Sequence, residues 1–273
     1  MIASPLGSRT LVVMPVSGDA IAPLPVLTPL WREIGGLWAL LDLSREAPLV
    51  EASATGAPVL LIPGFLTGDQ SLSTLAAHLV SEGLRPWPAA IARNVGCSEA
   101  TTTTLLERLE WIAARHRSKV TVVGHSRGGL MARVLARRRP DLVAGVVTLA
   151  APHRQPLAIH PLLWLHGIAF GAASLAGARG LLHFSCIGGA CCAHFRAELA
   201  APPAPGVEYV SVYSRRDGVV DWRACVDDSS CNVEVGTSHC HLTTDRATLE
   251  IVADAVKRFA GSSPEAEPRA WAA

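Results

Sequence analysis

Three residue types in one order carry the chemistry of this chain. Ser126 stands in Gly124-His125-Ser126-Arg127-Gly128, which fits G-x-S-x-G. Asp217 and Asp221 follow it, and His239 and His241 come last. A serine hydroxyl is a weak nucleophile until a neighbouring base takes its proton, and a buried acid must orient that base. Serine, aspartate and histidine in this order therefore point to nucleophilic chemistry at a carbonyl. Each acid and base has a close rival. Gly218 favours Asp217 over Asp221, because it permits a tight turn soon after the apolar run Val207 to Val212. Gly236-Thr237-Ser238 forms a flexible approach ending at His239, whereas His241 adjoins Leu242 and Thr243 near the closing helix. Asp217 and His239 are the expected acid and base.

The serine needs a strand beneath it and a helix after it. Val120 to Val123 is a β-branched run that reads as a buried strand, and Gly129 to Arg139 has helical composition. Arg137, Arg138 and Arg139 complement the dipole of the helix's last turn, and Pro140 stops it. Ser126 is thus expected on a sharp strand-to-helix turn whose glycines remove colliding side chains. The helix N-terminus favours an oxyanion there, with the Arg127 N–H as one donor. Pro58 to Ile62 reads as a second buried strand running into Pro63-Gly64-Phe65-Leu66. Phe65 N–H is the expected second donor, with Leu66 next. His125 reads as a polar packing residue under the site rather than a second base.

The remaining elements alternate. Helices are expected over Ser71 to Glu82, Thr102 to His116 and Ala247 to Phe259, and strands at Leu84 to Ile91, Gly145 to Leu149, Val207 to Val212 and Asn232 to Val235. Pro86 and Pro88 confine the first of these strands to an edge. The alternation predicts an α/β fold: a mostly parallel sheet flanked by helices. Residues 1–56 read as an N-terminal extension with an amphipathic helix over Leu30 to Leu43, residues 57–260 as the main domain, and 261–273 as a frayed tail. Within the domain, Gln155 to Pro205 is poor in charge and is expected to form a lid over the serine.

Composition narrows the partners. Net charge is +1, with no basic block beyond Arg137 to Arg139, which argues against nucleic acid. Hydrophobic residues make up 49% and charged residues 17%, which leaves apolar surface for transient lipid or membrane contact. The longest uncharged stretch, Gln155 to Ala178, holds Pro156, His160, Pro161 and His166 and reads as lid rather than membrane span. No secretory signal is evident, which points to the cytoplasm. Against that, six of the seven cysteines lie after residue 185, a clustering that suits disulfides and an oxidising compartment. Closures within Cys186, Cys191 and Cys192, or from Cys225 to Cys231 or Cys240, are compatible with the spacing, and free thiols are the alternative. The spacings of Cys186, Cys191, Cys192 and His194, or of His239, Cys240 and His241, match no paired C-x2-C zinc pattern, so no metal is expected. His78, His116, His153, His160, His166, His183 and His194 have no acid partner visible in sequence.

Read together, these motifs resemble the α/β-hydrolase superfamily, and within it the bacterial lipase and esterase branch. The resemblance rests on Ile62-Pro63-Gly64-Phe65-Leu66, Gly124 to Gly129, Leu149-Ala150-Ala151-Pro152-His153, Ser214 to Val220 and Gly236-Thr237-Ser238-His239. It covers roughly residues 55 to 260. It implies Ser126 as nucleophile, Asp217 as acid, His239 as base, and Phe65 and Arg127 as oxyanion donors. It also implies a cofactor-free ester hydrolase acting through an acyl-enzyme on apolar or lipidic esters. Acyl transfer, thioester hydrolysis and a non-catalytic binding role on the same fold are the alternatives. Pro-Gly-Phe replaces the His-Gly of many lipases, which is a departure at the first oxyanion donor.

Overall fold

The computed structural model describes residues 27–33 and 56–261. Its centre is a six-stranded sheet: β1 (Pro58–Ile62), β2 (Arg85–Pro88), β3 (Val120–His125), β4 (Val143–Leu149), β5 (Glu208–Tyr213) and β6 (Cys231–Glu234). The strand order is β2-β1-β3-β4-β5-β6, and every pairing is parallel. Parallel neighbours need crossovers, and helices supply them. These are α1 (Ser73–Ser81), α2 (Ser98–His116) and α3 (Arg127–Arg138), then α4 (Pro161–Leu175), α5 (Phe184–Ile187), α6 (Ala193–Ala200) and the closing α7 (Arg246–Gly261).

The sheet is buried on both faces, as its near-continuous apolar strands require. Leu60 and Ile62 point into one core layer, with Leu105 and Leu109 of α2 and Met131 and Leu135 of α3. Val59 and Leu61 point into the other, with Leu75 and Leu79 of α1 and Val252 and Val256 of α7. The period-2 alternation of a strand thus sends adjacent β1 residues to opposite layers. Pro86 and Pro88 are tolerated because β2 is an edge strand, paired among the described residues only with β1. Because all strands run one way, the loops after β1, β3, β4, β5 and β6 leave the same end of the sheet, where open α/β sheets build their sites.

Some boundaries move. α2 starts at Ser98, four residues before the first expected position, since its polar first turn carries no apolar signal. A 3-10 turn, Asp69–Leu72, leads into α1. Of the helix expected over Leu30 to Leu43, only the 3-10 turn Leu30–Glu33 is described, and residues 34–43 lie outside the described residues. The tail beyond residue 261 and most of the 1–56 extension also lie outside them. Among the described residues no helix is long and apolar enough to cross a membrane.

The turn from β3 to α3 is the tightest point of the fold. Ser126 has φ 51° and ψ −119°, a conformation costly for a residue with a Cβ. A Cβ on Gly124 would lie 2.4 Å from the Gly128 carbonyl carbon and oxygen, and one on Gly128 would lie 2.3 Å from the Ile62 carbonyl oxygen. Both obstacles are backbone and cannot rotate away. Gly124→Ala is therefore expected to destabilise the chain by about 3 kcal/mol, the upper end for overpacking. Gly236→Ala, where an added methyl meets nothing within 4 Å, should leave stability within about 1 kcal/mol of the parent. Urea midpoints of the two variants check this.

Candidate active site

The β3–α3 turn carries Ser126, which is only 9% exposed. Beside it lies the loop after β1. A Cβ placed on Gly64 would be 3.3 Å from Ser126 Cβ, so the two backbones are in contact. Phe65 follows Gly64. Neither Phe65 N–H nor Arg127 N–H, the first of α3, is bonded to a backbone carbonyl among the described residues.

The loop after β5 supplies the candidate acid. Asp217 Oδ1 accepts from Val219 N and Val220 N, both at 2.7 Å, and Val219 and Val220 are buried. These bonds fix the carboxylate and leave Oδ2 for His239, whose Nδ1–H donates at 2.7 Å. Asp221 faces elsewhere. It caps the 3-10 turn Trp222–Cys225 through Arg223 N at 3.0 Å and pairs with the Arg223 guanidinium. His241 Nδ1 lies 2.9 Å from Ser238 Oγ. The structure thus brings together Asp217 and His239, not their rivals. Among the described residues Ser126 Oγ makes no side-chain hydrogen bond, a looseness common in unliganded sites.

His125 joins the serine turn to the histidine loop. Its Nε2–H donates to the His239 carbonyl at 3.1 Å, and the two rings are 4.8 Å apart. Burial lowers its pKa to about 3, so it stays neutral. Burial also pushes the His239 imidazole down. The charge of Asp217 and its hydrogen bond outweigh that, and the net pKa lies above 6.5.

Sequence reading missed three parts of this site. Glu33, from the segment before the domain, reaches behind the acid and base loops. Its Oε1 accepts from Gly218 N at 2.7 Å and His239 N at 2.9 Å, and its Oε2 from Cys240 N at 2.9 Å. Burial pushes this carboxyl up, but the backbone donors outweigh it and the net pKa lies below 4.5. The second part is the Arg127 side chain. Its guanidinium donates to Asn94 O and Oδ1 at 3.0 Å, to Gly96 O and to Ser98 Oγ, and it covers the Phe65 ring at 5.7 Å. The third is Asn94, whose Nδ2 donates to Pro63 O at 2.8 Å and so holds the Phe65 loop from below. No local motif marks any of them.

Two other readings change. No cysteine forms a disulfide. Cys225 Sγ is directed at the Asp221 carbonyl and Cys240 at Glu33, so neither faces a partner sulfur. His153 is buried with an acid after all, 2.6 Å from Asp227 Oδ2, which also lies 3.1 Å from Arg133.

Between β4 and β5 the chain passes over this end of the sheet. Ile159 bridges to Val220 in the acid loop, Phe170 of α4 meets Phe65 edge-on at 6.0 Å, and Leu182 N donates to Val95 O. Leu162, Leu165, Ile168 and Leu175 of α4 are exposed. A cavity of about 420 Å³, bounded by Ile91, Cys97, Leu105 and Leu181, opens beside the loop after β2, away from Ser126.

Residues 57–170 match the family model described as the alpha/beta hydrolase fold. Triacylglycerol lipases of Pseudarthrobacter phenanthrenivorans and Burkholderia plantarii are each 31% identical to this chain over 111 residues, 37% of its length. The aligned part is 35% and 31% of those proteins, so the chain spans about a third of the curated relatives it matches. The mature lipase BlEst2 of Bacillus licheniformis superposes with a TM-score of 0.56 at 14% identity, covering 77% of this chain and 96% of that one. The fold is that of the alpha/beta hydrolases. Over the aligned part the chain is similar to bacterial triacylglycerol lipases.

The Glu33 contacts generate a test. Removing this carboxylate leaves three backbone donors without their acceptor. Glu33→Ala is expected to cost about 3 kcal/mol, roughly 1 per donor. Because the folded pKa lies below the unfolded one, the stabilisation from Glu33 is complete above the unfolded value. It is lost as pH falls through the folded value. Urea melts at neutral and acid pH check both statements: the gap between parent and Glu33→Ala should narrow towards acid.

Proposed function

We propose that this chain is a serine carboxylic-ester hydrolase of lipase or esterase type, with Ser126 as nucleophile, Asp217 as acid and His239 as base. The observation that carries the reading is the buried 2.7 Å hydrogen bond from His239 to Asp217, in loops beside a serine held at positive φ on a strand-to-helix turn. Asp217 orients the imidazole and stabilises the imidazolium as Ser126 Oγ attacks the ester carbonyl. The carbonyl oxygen then carries negative charge and accepts from the Phe65 and Arg127 N–H groups. His239 returns the proton to the leaving alcohol, which departs and leaves the acyl-enzyme. Water, deprotonated by the same histidine, attacks the acyl-enzyme and releases the acid. None of these steps requires a metal or an organic cofactor. The triacylglycerol lipases that resemble the chain, and the apolar outer side of α4, support lipidic esters as substrates. In this reading Gln155 to Pro205 is a lid, supported by the contact of Phe170 with Phe65.

A fluorophosphonate probe should label the folded chain at Ser126, and Ser126→Ala should abolish labelling and lower kcat by about 10⁴-fold or more. A folded parent that resists the probe would point to a non-catalytic protein. The pH profile adds a second test. His239 must be neutral to accept a proton, and its pKa lies above 6.5. The acid limb of kcat/KM is therefore expected above 6.5. Asp217→Asn should shift that limb downward and cost on the order of 10⁴-fold in kcat, while Asp221→Asn costs far less.

The lid reading gives a separate expectation. Leu165→Glu with Ile168→Glu places charge on the exposed side of α4. The pair should slow hydrolysis of an emulsified triacylglycerol by roughly tenfold, about 1.4 kcal/mol of lost surface binding. Hydrolysis of a soluble short-chain p-nitrophenyl ester should stay within about twofold.

A further inference from the structure

Four cysteines that the ester chemistry does not use converge at one point. Cys97 caps α2, Cys186 lies in α5, Cys191 in the 3-10 turn that follows, and Cys192 caps α6. Their sulfurs all lie within 4.8 Å of one another. Cys97 Sγ is 3.4 Å from both Cys191 Sγ and Cys192 Sγ, and Cys186 Sγ is 3.6 Å from Cys191 Sγ. Four thiolates 2.3 Å from a tetrahedral zinc ion lie about 3.8 Å apart. A multinuclear iron–sulfur centre would hold them farther apart, because several atoms stand between its ligands. We infer that Cys97, Cys186, Cys191 and Cys192 form a tetrathiolate zinc site that fastens the β4–β5 insertion to the start of α2.

The surroundings suit thiolates. Backbone N–H groups of Ala100, Glu99 and His183 bond to the sulfurs of Cys97, Cys192 and Cys186, as outer groups commonly do around metal-bound sulfur. A zinc ion with four thiolates carries a net charge of −2. The Arg127 guanidinium is partly buried, and among the described residues no carboxylate pairs with it. Cys192, Cys97 and Cys186 are the groups whose charge, as thiolates, would act on it. A buried cation without an anion is costly, and the zinc–thiolate centre supplies that anion. Two ligands stand next to each other in sequence and the fourth is far upstream, so no C-x2-C pair marks the site.

The site stands apart from the ester-hydrolase reading, and its test reads metal rather than turnover. The full chain, purified under reducing conditions without chelator, should carry about one zinc per chain by elemental mass spectrometry. Reconstitution with cobalt(II) should give the visible d–d bands and near-ultraviolet charge transfer of a tetrathiolate site. Cys191→Ser, at the exposed ligand, should lose zinc and the cobalt spectrum, while Cys231→Ser keeps both. Should Cys191→Ser fail to fold, alkylation of the parent decides instead: the four thiols should resist iodoacetamide until a chelator strips the zinc. Metal-free parent protein with four freely alkylated thiols, or disulfides among these cysteines by mass mapping, would overturn the assignment.

Discussion

The candidate site depends most on one partly buried cation. Arg127 stands next to the nucleophilic serine candidate, yet its side chain turns away from the reacting end and threads into the loop after β2. There it gathers Asn94, Gly96 and Ser98 around a single planar group, a task its fixed fork of donors performs and a lysine could not. Asn94 in turn grips Pro63, and the Phe65 ring lies against the guanidinium. The two backbone amides read as oxyanion donors therefore belong to segments joined by the same side chain. A donor pair is useful only if its spacing is set before charge develops. Here the spacing is set by a cation that the carbonyls of Asn94 and Gly96, the Asn94 side chain and the Ser98 hydroxyl all accept from.

The acid and base loops obey a second constraint. Loops at the end of a parallel sheet have no ladder to hold them, so their amides must find other acceptors. Two carboxylates meet that need from opposite sides. Asp217 accepts from its own loop and keeps one oxygen for His239. Glu33 accepts from both loops and fixes one relative to the other. The Ser214 hydroxyl donates to the Thr237 carbonyl and closes the same gap. Orientation of the imidazole is thus built into the backbone as well as into the pair.

What was legible in sequence was local. The strand, elbow and helix around Ser126 announce themselves within about twenty residues, because the glycines, the apolar run and the stop are consecutive. The alternation of strands and helices gave the parallel sheet, and the prolines of β2 marked an edge. The start of α2 was not legible, because apolar spacing begins only where the helix meets the core. Glu33, Asn94 and the cysteine cluster were not legible for another reason. Each acts across a long sequence separation, and an isolated glutamate, asparagine or cysteine carries no sign of its partner. The cysteines after residue 185 suggested disulfides because the fourth member, Cys97, could not be associated with them before the insertion was folded back onto α2. His153 is the same case, since Asp227 lies in a different loop.

Burial and pairing set the charges around Ser126. His125 is held neutral by burial, well below its usual range. Glu33 is held ionised by three amides. Arg127 stays protonated, with a pKa of about 10. His239 is moved upward from its usual value despite its burial, and the cause is the pair it makes with Asp217. Had His125 been free to ionise, its charge 4.8 Å away would oppose protonation of His239. It would weaken the imidazolium at the step that needs it. In the proposed mechanism, burial of His125 therefore contributes to the chemistry without touching substrate. It also explains why a histidine can be placed directly before the serine: its ring serves as a neutral donor to the His239 carbonyl, and His239 is left as the base of the proposed mechanism.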